Sequence, residues 1–239
     1  MTSLPPARPQ RALRLHPLAL ALLACGFALP GLAQMLPSGF STPTGGVSSS
    51  VNAAGNVMTI DQSVQRGIAN WDTFSIGSGA TVNVRQPNAS AVLLNRVTGE
   101  SMSNIDGALN ANGHVYLINP NGILFGQGAR VSVGGIVAST LDLAGATETD
   151  RNNAFLAGGA MKFANPGPGS ATVMVDSGAS ITANGNGGKG GVVVLIGNSV
   201  SNGGDILAPG GSVALAAGSQ VTLDPVGDGL TTLRVDAGA

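Results

Sequence analysis

The residues in this chain that could move a proton or hold an ion are few and far apart. Hydrolase or lyase chemistry needs carboxylates clustered on one face, or a basic group beside them. Here Glu100, Asp106, Asp142, Glu148, Asp150 and Asp176 are scattered, most of them at turn positions. His114 precedes an apolar run with no Asp or Ser at a spacing that suggests a triad, and it reads as a surface histidine. Within that run the Tyr116 hydroxyl is the one group with acid, base or nucleophile character. The expectation is a chain that is not an enzyme, with no metal ligand set and no cofactor.

What positions His114 and Tyr116 is more informative than the two residues themselves. Val115 to Ile118 and Ile123 to Phe125 are two short apolar runs, and between them lies Asn119-Pro120-Asn121-Gly122. Pro120 fixes φ at the first corner position, while Asn121 and Gly122 tolerate the bridge and left-handed conformations that complete a tight turn. On its own chemistry this stretch is a corner between two strands.

The chain has 239 residues, of which 37 are Gly; 43% are hydrophobic and only 3% aromatic. A core without aromatics has to be built from Val, Ile, Leu and Ala in short pieces. Glycine at this density opposes helices, each interior Gly costing up to ~1 kcal/mol relative to Ala. Disorder also favours Gly, but not with this much Val, Ile and Leu. An ordered all-β chain follows. Arg8, Arg11 and Arg14 open the sequence; after them eight basic residues face twelve acidic ones, a net of −4. Without a basic cluster the chain is not expected to bind nucleic acid.

Residues 1–33 have the form of an export signal. The three arginines precede an apolar run from Leu18 to Leu29, and small residues at Gly31 and Ala33 place cleavage between Ala33 and Gln34. That run is short for a membrane span, so no stable transmembrane segment is expected after cleavage. Cys25 is the only cysteine, and it lies inside this segment. A cleaved chain therefore has none, as suits either a core that needs no disulfide or a chain that must stay unfolded through a further membrane. Gln34 to Ala54 are mostly small and polar and read as an N-terminal cap or edge strand over the first apolar layer.

A repeat then begins. Gly113-His114-Val115-Tyr116-Leu117 shares the pattern Gly-x-Val-x-Leu with stretches starting at Gly191 and Gly211, the last two 20 residues apart. Gly-Ala-x-Val-x-Val occurs at Gly79 and again at Gly128. Asp106-Gly107, Asn121-Gly122, Asp176-Ser177-Gly178 and Asn202-Gly203-Gly204 mark corners. Short alternating strands at this spacing, with no helical periodicity between Asn56 and Thr222, predict a right-handed parallel β-helix of about eight to ten coils, spaced roughly 4.8 Å apart. Arg85–Met102 and Thr147–Asn165 break the regularity and are expected to be hairpins or loops outside the helix, their charges mainly solvated. Leu230 to Asp236 reads as a further strand, and the apolar layer it would leave uncovered suggests a fragment, a truncated gene product or the start of a longer protein.

These landmarks together resemble the N-terminal secretion domain of two-partner-secretion exoproteins, the filamentous-haemagglutinin-like family. The matching stretches are Ile68 to Phe74, Asn95-Arg96-Val97, Ile105 to Gly113, Asn119 to Ile123, Gly135 to Leu141, Val200 to Ile206 and Leu215 to Gly218. The resemblance covers nearly all of the chain after Ala33, as one domain over 34–239. It implies a β-helix with extra-helical strands and recognition in the periplasm by the POTRA domains of an outer-membrane β-barrel transporter. Release would then be to the cell surface or the medium. It also implies that Asn119, Pro120, Asn121, Gly122 and Ile123 form a secretion motif. Some family members carry a second Asn-Pro-Asn upstream; the nearest counterpart here is Gln86-Pro87-Asn88, with Gln in place of the first Asn. The alternative function is direct binding of host glycans or cell-surface receptors. Against it, Trp71, just before Phe74-Ser75-Ile76, reads as core rather than as a sugar platform.

Overall fold

The computed structural model describes residues 35–166, 171–185, 190–225 and 231–237; the expected signal, with Ala33, Gln34 and Cys25, lies outside them. The elements run β1 (Val47–Val51), β2 (Val57–Gln62), β3 (Arg66–Trp71), β4 (Thr81–Arg85), β5 (Val92–Val97), β6 (Ser103–Ile105) and β7 (Ala108–Ala111). Next come β8 (His114–Ile118), β9 (Ile123–Phe125), β10 (Arg130–Val133), β11 (Gly135–Ser139), β12 (Leu141–Leu143), α1 (Glu148–Ala157) and β13 (Met161–Pro166). The chain continues with β14 (Thr172–Val175), β15 (Ser180–Ala183), β16 (Val192–Gly197), β17 (Ser199–Asn202), β18 (Asp205–Leu207), β19 (Ser212–Ala217), β20 (Gln220–Pro225) and β21 (Thr231–Ala237).

Three parallel faces wind around one apolar interior. The first face is ordered β1-β2-β4-β7-β10-β15-β18, the second β3-β5-β8-β11-β16-β19 and the third β6-β9-β14-β17. Successive strands step from first to second to third face, which is a parallel β-helix. The repeat seen in the sequence is the register of the second face: Val115, Ile136, Val193 and Val213 stack in one column, and Leu117, Ala138, Leu195 and Leu215 in the next. The other repeat is the register of the first face, where Val82, Leu109, Val131, Ile181 and Ile206 align. The glycine that opens the second-face pattern is there because neighbouring rungs meet backbone to backbone. A Cβ on Gly113 would lie 2.7 Å from the Ala91 carbonyl oxygen, and one on Gly211 would collide with the Gly191 carbonyl.

The N-terminal segment covers the first layer, as expected. β1 pairs antiparallel with β2, Val47 is buried, and Leu36 and Phe40 pack on the core, Phe40 with its ring 5.1 Å from that of Trp71. Trp71 is fully buried and its indole N–H donates to Asn95 Oδ1 at 3.0 Å, so it is core. At the far end, Val213 and Leu215 hold inward positions on β19 yet are each 45% exposed, whereas their register partners Val193 and Leu195 are buried.

Four expectations are corrected. Arg85–Met102 is not an outside loop: β5 lies in the second face between β3 and β8 and is buried along its whole length. Thr147–Asn165 contains a helix. Thr147 caps it, accepting from the Asp150 N–H while Asp150 Oδ2 accepts from the Thr147 N–H, and Gly158 follows at φ +72°. Only Asn152 and Phe155 of α1 are buried, too few to leave an apolar stripe in the sequence. The second face has six rungs among the described residues rather than eight to ten, because the strands β12, β13, β20 and β21 leave the helix to build an outer antiparallel sheet in the order β12-β13-β20-β21. For the same reason β21 is a strand, as read, but pairs antiparallel with β20 instead of adding a coil.

The outer sheet explains why second-face strands are apolar on both sides. Ile68, Leu94, Tyr116, Ile118, Val137, Val194 and Ile196 form a second core with Phe155, Met161, Phe163, Val221 and Leu223. Tyr116 and Phe155 meet edge to face at 5.9 Å.

Candidate functional site

Asn119 closes β8 and starts the corner into β9. Its carbonyl accepts from the Gly122 N–H at 3.1 Å, a turn with Pro120 and Asn121 at its centre, and Gly122 sits at φ +118°. Inside that turn Asn119 Oδ1 accepts from the Asn121 N–H at 2.9 Å. The corner is also stitched to the preceding rung. Asn119 Nδ2 donates to the Ser101 carbonyl and to Ser103 Oγ, both at 2.9 Å, and Asn121 Nδ2 donates to the Gly99 carbonyl at 2.8 Å. Toward the following rung, the Asn119 N–H donates to the Ser139 carbonyl at 2.9 Å. Ile123 then enters the core beside Ser103 and Val173.

Asn119 is 0% exposed, and its amide donates twice and accepts within the corner. In the folded chain this side chain has nothing left to offer a partner. Sequence reading identified the corner but not Gly99, Ser101 and Ser103, which receive its side-chain hydrogen bonds. The polar pair Ser101-x-Ser103 one rung earlier was the available signal.

Gln86-Pro87-Asn88 lies at a different corner, between β4 on the first face and β5 on the second. Gln86 is buried; its Nε2 donates to Gln62 Oε1 at 3.0 Å and its backbone is bracketed by the Asn112 amide at 2.8 and 2.9 Å. Asn88 Oδ1 accepts from Ser90, N–H and hydroxyl, at 3.0 and 2.7 Å. The fold does not bring these three residues together with Asn119, and their geometry is not a copy of that corner.

The family model for the TPS secretion domain matches residues 33–237. The chain belongs to this family. TPS domains lead exoproteins of two-partner secretion, which are exported and secreted or held at the surface, and they engage a cognate outer-membrane transporter. The chain is 44% identical over 121 residues to a heme/hemopexin-binding protein of Haemophilus influenzae strain Rd, and 44% identical over 98 residues to another H. influenzae heme/hemopexin-binding protein. Those stretches are 51% and 41% of this chain but only 13% and 11% of the relatives, so most of each relative has no counterpart here. Among solved structures, the chain is similar to the HMW1 secretion domain from H. influenzae, with 32% identity and a TM-score of 0.70, covering 85% of this chain and 50% of that one. Among the described residues no helix is long and apolar enough to cross a membrane.

In this secretion domain the titratable groups that the sequence singled out have structural settings. His114 is half-buried rather than a surface residue. Its ring lies against Gly135, where a Cβ would collide with it, and burial followed by the nearby Arg66 charge pushes its pKa down from 6.5. Tyr116 is pushed up to about 12 from 10.0, by burial first, with Arg66 acting in the opposite direction. Both shifts have a sign for stability. The folded state holds His114 neutral, so its contribution is full above pH 6.5 and is lost as pH falls below that value. Tyr116 stays protonated longer when folded, so stability falls as pH rises above 10 and the loss is complete near 12. Melting temperature measured against pH should show both limbs. His114→Asn should flatten the acid limb and Tyr116→Phe the alkaline one.

Proposed function

We propose that residues 34–239 direct export of an exoprotein through a dedicated outer-membrane β-barrel transporter, after residues 1–33 have served as a signal peptide cleaved between Ala33 and Gln34. In this reading Asn119-Pro120-Asn121-Gly122-Ile123 is required for export, with Gln86-Pro87-Asn88 as a secondary element. The observation that carries it is the complete internal use of Asn119. A transporter can read this side chain only before the corner closes, that is, in a chain still unfolded in the periplasm. Such a chain presents free main-chain N–H and C=O groups and can add as a strand to the edge of a POTRA sheet. Folding outside then removes the motif from reach and makes passage directional.

The test is expression with and without the partner transporter, following the chain in periplasm and medium. Export should depend on the transporter, and the periplasmic chain should be protease-sensitive. Equal release without the transporter would contradict the proposal.

A shallow groove of about 570 Å³ on the first face, lined by Asn83, Arg85, Asn110 and Asn112 beside Val84 and Ala111, supports a second reading, direct binding of glycans or host-surface receptors. Asn110 Nδ2 donates to Asn83 Oδ1 at 3.0 Å there, a short amide ladder facing solvent. The fully buried Trp71 cannot serve as a stacking platform, so binding would rest on the polar and aliphatic side chains of the groove. A glycan array with no signal would remove this reading.

A further inference from the structure

The helix α1 emerges after β11, the fourth rung of the second face, yet it packs back on β3, the first rung. Besides the local pairing of Arg151 with Asp142, three polar contacts spaced along α1 come from the first two rungs. Near its start, Asn70 Nδ2 donates to Glu148 Oε1 at 2.9 Å, across 78 residues of sequence. At its middle, Arg96 Nη1 donates to Asn152 Oδ1 at 2.7 Å, across 56 residues. Toward its end, Arg66 Nε donates to the Phe155 carbonyl at 2.6 Å, across 89 residues, with its guanidinium 4.3 Å from the Phe155 ring centroid. α1 has no basic residue in its last turn, so the charge that complements its C-terminus comes from β3. Phe155 also covers Tyr116 and is itself fully buried.

We infer that α1 is a folding latch for the N-terminal rungs. Before residue 157 is available, β3 and β5 carry Arg66, Asn70 and Arg96 on their outer face without their α1 partners, with Ile68 and Leu94 exposed beside them. Closing that face requires an excursion to return over a loop of about 90 residues, whose entropy must be met before any contact forms. Rungs that come first in sequence therefore lock late. Resting on the export reading above, the latch keeps the leading part of the domain loose until much of it has crossed the membrane.

The experiment needs only the purified full chain, so its outcome is independent of whether a transporter is required. In pulsed hydrogen exchange during refolding from urea, amides of β3 and β5 should gain protection in the same phase as those of α1. Protection of β3 and β5 in an earlier phase than α1 would overturn the inference. A native-state measurement on Thr147→Ala adds a variant that leaves the β-helix intact, since Thr147 is exposed and serves only to cap α1. Opening of β3 and β5 should become about fivefold more frequent, the size of a lost cap, while β15 and β18 stay unchanged. Loosening confined to 147–158 would equally overturn it.

Discussion

Asn119→Ala should reduce export through the transporter to a small fraction of wild type while leaving a domain that still folds. The substitution removes an amide that is buried and donates to the Ser101 carbonyl and Ser103 Oγ while accepting from the Asn121 N–H. Ser103 is fully buried, Asn121 half-buried and Ser101 exposed, and the loss of the three hydrogen bonds together costs roughly 3 kcal/mol. Against a total stability of about 5–15 kcal/mol this leaves the chain folded, with a melting temperature lower by about 6–12 °C. Asn119→Asp should not recover that loss, because it keeps the acceptor for Asn121 but turns a carboxylate oxygen toward the Ser101 carbonyl. Thermal unfolding of the purified variants checks the stability part, and periplasm-to-medium partition checks the export part.

Asp142→Ala has a larger effect on stability and none that is specific to recognition. Asp142 sits at the centre of a buried charge cluster, with Oδ1 3.2 Å from Arg96 Nε and Oδ2 3.0 Å from Arg151 Nε. Its Oδ1 also accepts from the Leu143 N–H at 2.8 Å. The cluster ties β5 of the helix to β12 of the outer sheet and, through Arg151 and Asn152, to α1. Removing the carboxylate leaves Arg96 buried with only Asn152 as its side-chain partner, and breaking a pair of this kind costs about 3–5 kcal/mol. Arg151→Ala should cost much less. Arg151 is 21% exposed and Arg96 only 5%, so Asp142 keeps its deeper partner when Arg151 is lost. Melting temperatures of the two variants should rank in that order, with loss of protection in α1 and the outer sheet for Asp142→Ala.

The parts of the fold that could be read from sequence are those where each residue has one job. Val-x-Leu behind a glycine is legible because Val115, Val193 and Val213 stack in one column and the glycine has a carbonyl against it. Corners such as Asp106-Gly107 and Asn121-Gly122 are legible because Gly122 sits at φ +118° and a Cβ on Gly107 would collide with the Ala80 and Gly77 carbonyls. Arg96 misled because its charge suggests solvent, whereas its partners Asp142 and Asn152 lie 46 and 56 residues downstream. The helix escaped because α1 is held by Arg66, Asn70 and Arg96 from other strands rather than by an apolar stripe of its own. The coil count came out high because strands 141–143, 161–166, 220–225 and 231–237 look like coil strands locally and differ only in whom they pair with. At the corner itself, Asn119 and Gly122 were visible as turn chemistry, but the burial of Asn119 depends on Ser101 and Ser103 of another rung.

The most direct test compares export of Asn119→Ala with that of Ile181→Ala. Ile181 is fully buried on β15, away from the corner, and its truncation costs about 2–5 kcal/mol, as much as or more than the loss at Asn119. If the corner is a feature that the transporter reads before folding, Ile181→Ala should be exported substantially better than Asn119→Ala despite equal or lower stability. Export that simply follows stability, with Asn119→Ala released as well as Ile181→Ala or better, would show that Asn119 serves the fold alone.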